Sequence, residues 1–108
     1  MNVFEKIIKG EIPYKKVLEN DKFLAFYDIA PKAPIHVLAI PKQSFKDFNT
    51  MPPQLLAEMS LFILEVVELL GIKEKGYRLV TNIGVDGGQE VPHFHYHILG
   101  GSKLKWEK

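Results

Sequence analysis

The stretch "PPQLLAEMSLFILEVVELLG", residues 52–71, decides the fold of this chain. Its apolar residues recur at i, i+3 and i+4 spacing, which is the periodicity of a helix that buries one face. Pro52 and Pro53 suit the first turn of a helix, and Gly71 suits its end. We therefore predict one long helix here, with an apolar face wide enough to cover a sheet.

Strand-like runs flank this helix on both sides. The turn-tolerant pair Asn20-Asp21 separates the first two runs and predicts a hairpin. The segment "VFEKIIKG", residues 3–10, predicts a short amphipathic helix that ends at Gly10. These patterns predict an α+β fold, with a five-stranded antiparallel sheet, one long helix and one short helix, in a single domain spanning residues 1–108. The predicted strands are residues 16–19, 23–28, 36–40, 77–83 and 93–99.

The composition excludes several classes of function. The chain has 14 Lys and Arg against 13 Asp and Glu, so it lacks the strong positive charge that binds DNA. It contains no cysteine, which excludes disulfides, thiolate zinc sites and a cysteine nucleophile. The N-terminal residues lack the apolar run of a signal peptide, and glutamates interrupt the long apolar segment. We therefore expect a cytoplasmic protein with no membrane association.

Three of the four histidines alternate with apolar or aromatic residues in "HFHYHIL", residues 93–99. Side chains on a strand alternate between its two faces. We therefore predict that His93, His95 and His97 share the outer face of the sheet. The alternate residues, Phe94, Tyr96 and Ile98, are predicted to pack beneath the long helix. Solubility gives no reason to prefer three imidazoles in register, so this histidine stripe indicates chemistry.

A zinc site is the first alternative for such a stripe. Neighbouring positions on one face of a strand lie about 6.6 Å apart, whereas a zinc-to-nitrogen bond is about 2.1 Å long. Three histidines on one straight strand therefore cannot readily converge on a single ion. Two of them, completed by His36 or Asp28, could still hold zinc or nickel, so zinc binding without a catalytic role stays an open alternative.

A glycine-rich segment, "TNIGVDGGQEVPH" at residues 81–93, leads directly into the histidine stripe. Glycines let backbone N–H groups approach an anion without a Cβ in the way. Taken alone, such a loop indicates no more than a turn between strands. Next to a row of imidazoles it predicts a seat for phosphate, and neutral imidazole is a competent nucleophile toward phosphorus.

On these residues the sequence resembles the histidine triad family, whose signature alternates histidine with hydrophobic residues as residues 93–99 do. Two longer segments resemble the Hint-like branch of that family. They are "FEKIIKGEIPYKKVLENDKFLAFYDIAPKAPIHVLAIPKQ", residues 4–43, and "TNIGVDGGQEVPHFHYHILGG", residues 81–101. The likeness runs from Phe4 to Trp106 and implies a HIT-like fold whose sheet continues across a homodimer.

The resemblance implies a purine nucleotide bound across the outer face of the sheet and nucleotidyl transfer to a histidine. It implies that His95 is the nucleophile that attacks the α-phosphorus. It further implies that His97 and His36 contact phosphate oxygens and handle protons near the leaving group. His93 would support and orient the nucleophile, and no metal cofactor is required.

Other positions take their roles from the same resemblance. Asp28 would accept hydrogen bonds from the ribose hydroxyls, and Trp106 would reach toward the partner subunit's site. Glu90 departs from the pattern, because the Hint-like branch commonly has serine there and an ionised carboxylate repels phosphate. The implied phosphate-side residues are Asn82, Gly88, Gln89 and Glu90. The implied base-pocket residues are Phe4, Ile7, Phe26, Ile29 and Leu38.

The activity that the resemblance implies is hydrolysis of the phosphorus-to-nitrogen bond in purine nucleoside phosphoramidates, such as AMP joined to an amine or to lysine. One alternative is a dinucleoside polyphosphate hydrolase of the Fhit type. Another is a nucleotide-binding regulatory module without catalysis.

Overall fold

Helix α2, Pro53–Leu70, is the long helix that the apolar periodicity predicts. It begins with a proline in its first turn and ends at Gly71, whose φ of 70° places it in the left-handed region that favours glycine. Its buried face packs on one side of a sheet. That face consists of Met59, Phe62, Ile63, Val66 and Val67.

The computed structural model describes residues 1–105. A five-stranded antiparallel sheet forms its centre, in the order β1 (Lys16–Glu19), β2 (Phe23–Tyr27), β3 (Ile35–Pro41), β5 (Tyr96–Gly100) and β4 (Arg78–Val80). The predicted hairpin joins β1 to β2, where the side-chain oxygen of Asn20 accepts hydrogen bonds from the backbone N–H groups of Lys22 and Phe23 at 2.9 and 2.8 Å. The predicted α+β architecture is confirmed. The remaining elements are α1 (Val3–Ile8) and a 3-10 turn (Phe48–Thr50).

Strand alternation divides the interior into two apolar clusters, one on each face of the sheet. The cluster beneath α2 contains Phe94 and Ile98, the residues that the pattern assigned to the packing face. The cluster on the opposite face lies beneath α1 and is smaller. Its buried members are Phe4, Ile7, Leu24, Phe26, Leu38 and Ile40.

β2 ends one residue earlier than the sequence pattern predicts, and β4 and β5 are shorter by two residues or more. The chain pairs as β5 only from Tyr96 onward, because the backbone N–H of Phe94 donates to the carbonyl of Phe45 at 2.6 Å instead of to a neighbouring strand. β4 ends at Val80, and the hydroxyl of Thr81 then donates to the carbonyl of His95 at 2.8 Å. Side-chain and loop contacts thus replace strand pairing where the chain enters the histidine stripe.

No helix within residues 1–105 is long and apolar enough to cross a membrane. Trp106, which the resemblance assigns to the partner subunit's site, lies outside the described residues.

Candidate active site

A cavity of about 670 Å³ lies between α1 and the face of the sheet that α2 leaves uncovered. Most of the residues that the sequence analysis proposed for a ligand site line it, although they come from five separate parts of the chain. They are Phe4, Ile7, Phe26, Asp28, Ile29, Leu38, Asn82, Gly88, Glu90, His95 and His97. Three proposed residues do not line this cavity but form hydrogen bonds to residues that do: His36 to His97, His93 to His95, and Gln89 to Val91.

The histidine stripe occupies the predicted face, but α1 covers part of it, so two of its imidazoles are buried instead of facing solvent. His93 is fully buried and His95 nearly so. The ring of Phe4, on α1, meets both imidazoles edge to face, with centroid separations of 5.8 Å to His93 and 5.0 Å to His95. The short helix therefore forms part of the site as well as covering the sheet.

The hydrogen bonds of His95 determine which ring nitrogen is free. Its Nδ1 lies 2.7 Å from the backbone carbonyl of His93. A carbonyl oxygen can only accept, so Nδ1 carries the proton, and the neutral ring has its lone pair on Nε2. The imidazole lines the cavity, so His95 offers an unprotonated nitrogen there.

His97 has the opposite protonation pattern, set by two groups behind it. The backbone N–H of Lys32 donates to Nδ1 of His36 at 3.1 Å, so neutral His36 carries its proton on Nε2. That Nε2–H lies 2.9 Å from Nδ1 of His97 and donates to it. His97 must then carry its own proton on Nε2, which makes it a hydrogen-bond donor for the cavity.

Both ring nitrogens of His93 are occupied. Its Nε2–H donates to the backbone carbonyl of Pro41 at 2.8 Å, and its Nδ1 accepts from the side-chain amide of Asn2 at 3.3 Å. No nitrogen of His93 remains for a ligand. The ring therefore holds residue 93 in place, and the backbone carbonyl of His93 accepts the hydrogen bond from Nδ1 of His95.

Burial keeps the four imidazoles neutral near pH 7. It lowers the pKa of His36, His93 and His95 below the usual value for histidine. Burial also lowers the pKa of His97 to about 4, and the neighbouring His95 and His36 add to this effect because a second positive charge beside them is unfavourable. The protonation pattern deduced from the hydrogen bonds is thus the one present at neutral pH.

The glycine-rich loop is held in shape by its own side chains. The amide of Gln89 donates to the carbonyl of Lys46 at 2.6 Å and accepts from the N–H of Gly84 at 3.1 Å, so it braces the loop and does not reach the cavity. A Cβ on Gly87 would lie 2.2 Å from the carbonyl oxygen of Ile83, so only glycine fits there. The N–H of Gly88, a candidate phosphate donor, donates to the carbonyl of Val85 at 3.0 Å.

Three formally charged side chains line the cavity: Asp28, Lys32 and Glu90. One carboxylate oxygen of Asp28 accepts from the N–H of Ala30 at 2.8 Å, and the other lies 3.5 Å from Nε2 of His36. The sequence analysis did not propose Lys32, which lies in the loop "IAPKAP", residues 29–34. The sequence could have indicated Lys32 as a site residue, since this loop leads directly into the strand that carries His36.

Asp28, His36 and His97 place three potential metal ligands within 4.8 Å of one another. The donor set does not suit a divalent ion, because the Lys32 N–H forces the His36 proton onto Nε2, the nitrogen that would have to bind the metal. Histidines that bind metals donate their other N–H to an acceptor, whereas here that nitrogen faces a donor. The cluster is better described as a proton-ordering chain that ends at His97.

The structure places a cluster of histidines on an antiparallel sheet, and comparisons with known proteins show the family to which the chain belongs. The HIT domain family matches residues 9–104. An uncharacterized HIT-like protein of Helicobacter pylori is 66% identical over 103 residues, which cover 95% of this chain and 99% of that protein. This chain belongs to the HIT domain family.

Solved structures share the fold. A HIT family hydrolase from Clostridium thermocellum is 44% identical, with a TM-score of 0.92 over 98% of this chain and 95% of that one. A histidine triad nucleotide-binding protein from Candida albicans is 31% identical, with a TM-score of 0.85 over 100% of this chain and 86% of that one. The five-stranded sheet with its long helix is therefore the HIT fold.

Proposed function

We propose that this protein is a nucleotide hydrolase that cleaves the phosphorus-to-nitrogen bond of purine nucleoside phosphoramidates through a nucleotidyl-histidine intermediate. The observation that carries the proposal is the pair of opposite protonation patterns in one cavity. His95 offers a lone pair on Nε2, and His97 offers a proton on Nε2. A nucleophile beside a proton donor is what displacement of an amine from phosphorus requires.

The cavity suits a nucleoside in size and in the chemistry of its walls. Its volume of about 670 Å³ falls within the range of small-molecule sites. The apolar side chains around Phe4, Phe26 and Leu38 form a surface for a purine ring. Asp28, at the end of β2, has an oxygen that does not bond Ala30 and that can accept from a ribose hydroxyl.

In the first step, Nε2 of His95 attacks the α-phosphorus and forms a phosphorus-to-nitrogen bond while the bond to the leaving amine breaks. The departing nitrogen takes up a proton from water while the His97 Nε2–H donates a hydrogen bond to it, so the amine leaves neutral and His97 stays neutral. The His36 Nε2–H holds the His97 ring in this donor form through their 2.9 Å contact. The carbonyl of His93 stabilises the positive charge that forms on the His95 ring, since it accepts the Nδ1 proton.

In the second step, water attacks the same phosphorus and His95 leaves. The attacking water gives its proton to the surrounding water, and His97 keeps its Nε2–H throughout. The nucleoside monophosphate is released, and the enzyme is unchanged. No step needs a metal, because a neutral imidazole is already a competent nucleophile.

Relatives support the class of ligand and of reaction. The Candida albicans structure is that of a nucleotide-binding protein, and the Clostridium thermocellum structure is that of a hydrolase. Both share the fold of this chain at high TM-score. The likeness to the Hint-like branch favours phosphoramidates over dinucleoside polyphosphates.

We further propose a homodimer that continues the sheet. β4 lies at one edge of the sheet and exposes Leu79, which is 43% accessible. The outer side of α2 also exposes leucines, with Leu61 at 66% and Leu64 at 48%. Apolar surface at a sheet edge and on a helix is typical of protein interfaces. Light scattering at micromolar concentration should give the mass of two chains, and the mass of one chain would exclude the dimer.

The direct test is to trap the intermediate. The protein is mixed with an adenosine 5'-phosphoramidate, quenched within milliseconds and examined by mass spectrometry. We expect one AMP per chain, attached to His95 in the digested protein. A parallel panel of guanosine phosphoramidates and dinucleoside polyphosphates separates the phosphoramidase from the Fhit type. Absence of both adduct and turnover with every donor, but with nucleotide bound, would identify a non-catalytic binding module.

A further inference from the structure

One side chain, Asn2, joins α1 to the histidine stripe. Its Oδ1 accepts the backbone N–H of Glu5 at 2.8 Å, which caps the helix, and its Nδ2 donates to Nδ1 of His93 at 3.3 Å. The carboxylate of Glu5 accepts the N–H of Asn2 at 2.9 Å and completes a capping box. The same amide therefore both stabilises a helix and contacts an imidazole beneath the cavity.

The direction of this amide is determined by its partners. The Glu5 N–H can only donate, so the amide oxygen faces it and the amide nitrogen faces His93. Pro41 supplies a carbonyl to the other side of the His93 ring, which requires a proton on Nε2. Asn2 thus selects the neutral form of His93, because protonation of Nδ1 would place two donors against each other.

We propose that Asn2 is a positioning residue for the nucleophile His95, acting through His93. The inference rests on the proposed function, because it assigns His95 the chemical step. It extends the site to Asn2, the N-cap residue of α1. From this helix the sequence analysis proposed only the base-pocket residues Phe4 and Ile7.

The route from Asn2 to His95 passes through the backbone of His93. Residues 93–95 precede β5 and lack the pairing that holds a strand. The His93 ring, bonded at both nitrogens, therefore anchors this segment, and the carbonyl of the same residue binds Nδ1 of His95 at 2.7 Å. Loss of the Asn2 contact frees one side of the ring and lets that carbonyl shift.

The charge on His93 also matters for His95. A protonated His93 would oppose positive charge on the neighbouring ring and lower the basicity of its Nε2. The other titratable groups near these two rings are Glu5 on α1, Asp28 at the end of β2 and His97 on β5. All three remain unchanged in the variants below.

Two substitutions separate this role from helix capping, since aspartate and serine are both good N-cap residues. Asn2→Asp places a carboxylate oxygen against Nδ1 of His93, so the His93 ring should take up a proton and its pKa should rise. Asn2→Ser keeps the cap, but its hydroxyl is one bond too short for the His93 contact. Thermal unfolding checks that both variants fold.

For Asn2→Asp we expect kcat/KM for an adenosine phosphoramidate to fall about tenfold or more at pH 6 and to recover toward the wild-type value at pH 9. The acid limb of its pH profile should move to higher pH. For Asn2→Ser we expect kcat to fall about tenfold with KM nearly unchanged and no upward shift of that limb.

Side-chain ¹⁵N spectra of His93 and His95 provide a second readout that does not need turnover. We expect His93 to be doubly protonated at pH 6 in Asn2→Asp, and the Nδ1–H signal of His95 to weaken in Asn2→Ser. Wild-type kinetics in both variants would overturn the inference. If the wild-type protein turns over no donor, the proposed function fails instead, and unchanged His93 and His95 spectra would then overturn the inference independently.

Discussion

The Nε2 atom of His36 lies 2.9 Å from the Nδ1 atom of His97, and this contact decides where His97 carries its proton. His36 is buried behind the cavity wall and is itself oriented by the backbone N–H of Lys32. A residue that does not line the cavity thus determines that His97 donates into it. Under the proposed function, this positions the His97 Nε2–H to donate a hydrogen bond to a leaving amine.

Removing the donor at position 36 should therefore slow chemistry more than binding. We expect His36→Leu to lower kcat about tenfold or more with little change in KM, because His97 then loses the partner that fixes its ring form. His36→Gln, whose amide N–H can donate to the same nitrogen, is the matched control and should retain more activity. Steady-state kinetics and the ¹⁵N shifts of His97 provide the measurements, and equal kcat values for leucine and wild type would contradict the role.

His95→Ala tests the nucleophile itself. We expect kcat to fall at least about 10³-fold and the AMP adduct to vanish, because the unprotonated Nδ1 of His97, the other imidazole that lines the cavity, is occupied by the His36 Nε2–H. AMP should still bind with a dissociation constant close to that of the wild type, measured by calorimetry. An adduct that persists in this variant would assign the nucleophile to another residue.

The rate should depend on pH in a way set by buried, neutral histidines. Attack requires unprotonated His95, whose pKa burial lowers, and His97 has a pKa lowered to about 4. We expect kcat/KM for a phosphoramidate of a simple alkylamine to be flat from about pH 8 down to the ordinary histidine pKa, with its acid limb below 6.5. A limb centred above pH 7 in the wild-type protein would show that the nucleophile is not a buried imidazole.

The same histidines make folding stability depend on pH. Between their lowered native pKa and the ordinary value of about 6.5, the unfolded chain binds protons that the native state does not. The free energy of unfolding should therefore be highest above pH 6.5 and decrease as the pH falls below it, by up to about 1.4 kcal/mol per pH unit for each histidine. For His97 this window extends down to about pH 4. Urea unfolding at pH 7, 6 and 5 measures the effect, and constant stability over this range would rule it out.

Glu90 should lower kcat/KM for phosphoramidates whose leaving amine is uncharged. Its exposed carboxylate lines the cavity and repels a phosphoryl oxyanion. We expect Glu90→Ser to raise kcat/KM for an adenosine phosphoramidate of an uncharged amine. Glu90→Gln, which removes the charge at nearly constant size, separates electrostatics from steric effects. An unchanged or lower kcat/KM for the serine variant would exclude a leaving-group role at this position.

Much of the fold follows from local sequence patterns. The apolar periodicity of residues 52–71 and the glycine after them predicted α2 nearly to the residue. The alternation in residues 93–99 correctly separated Phe94 and Ile98 from the histidines. The predicted starts and ends of β4 and β5 were less accurate, because Thr81 and Phe45 take backbone partners there that only tertiary contacts supply.

Sequence by itself determined the chemical inventory of this protein: four histidines, three of them in register beside a glycine loop, and no cysteine. Only the tertiary structure decided what each imidazole does, because the protonation of a ring depends on partners far away in the chain. Asn2 lies 91 positions from His93, and His36 lies 61 positions from His97. The pattern could show that these rings share a face, but the hydrogen bonds from α1 and β3 determine which nitrogen faces the cavity.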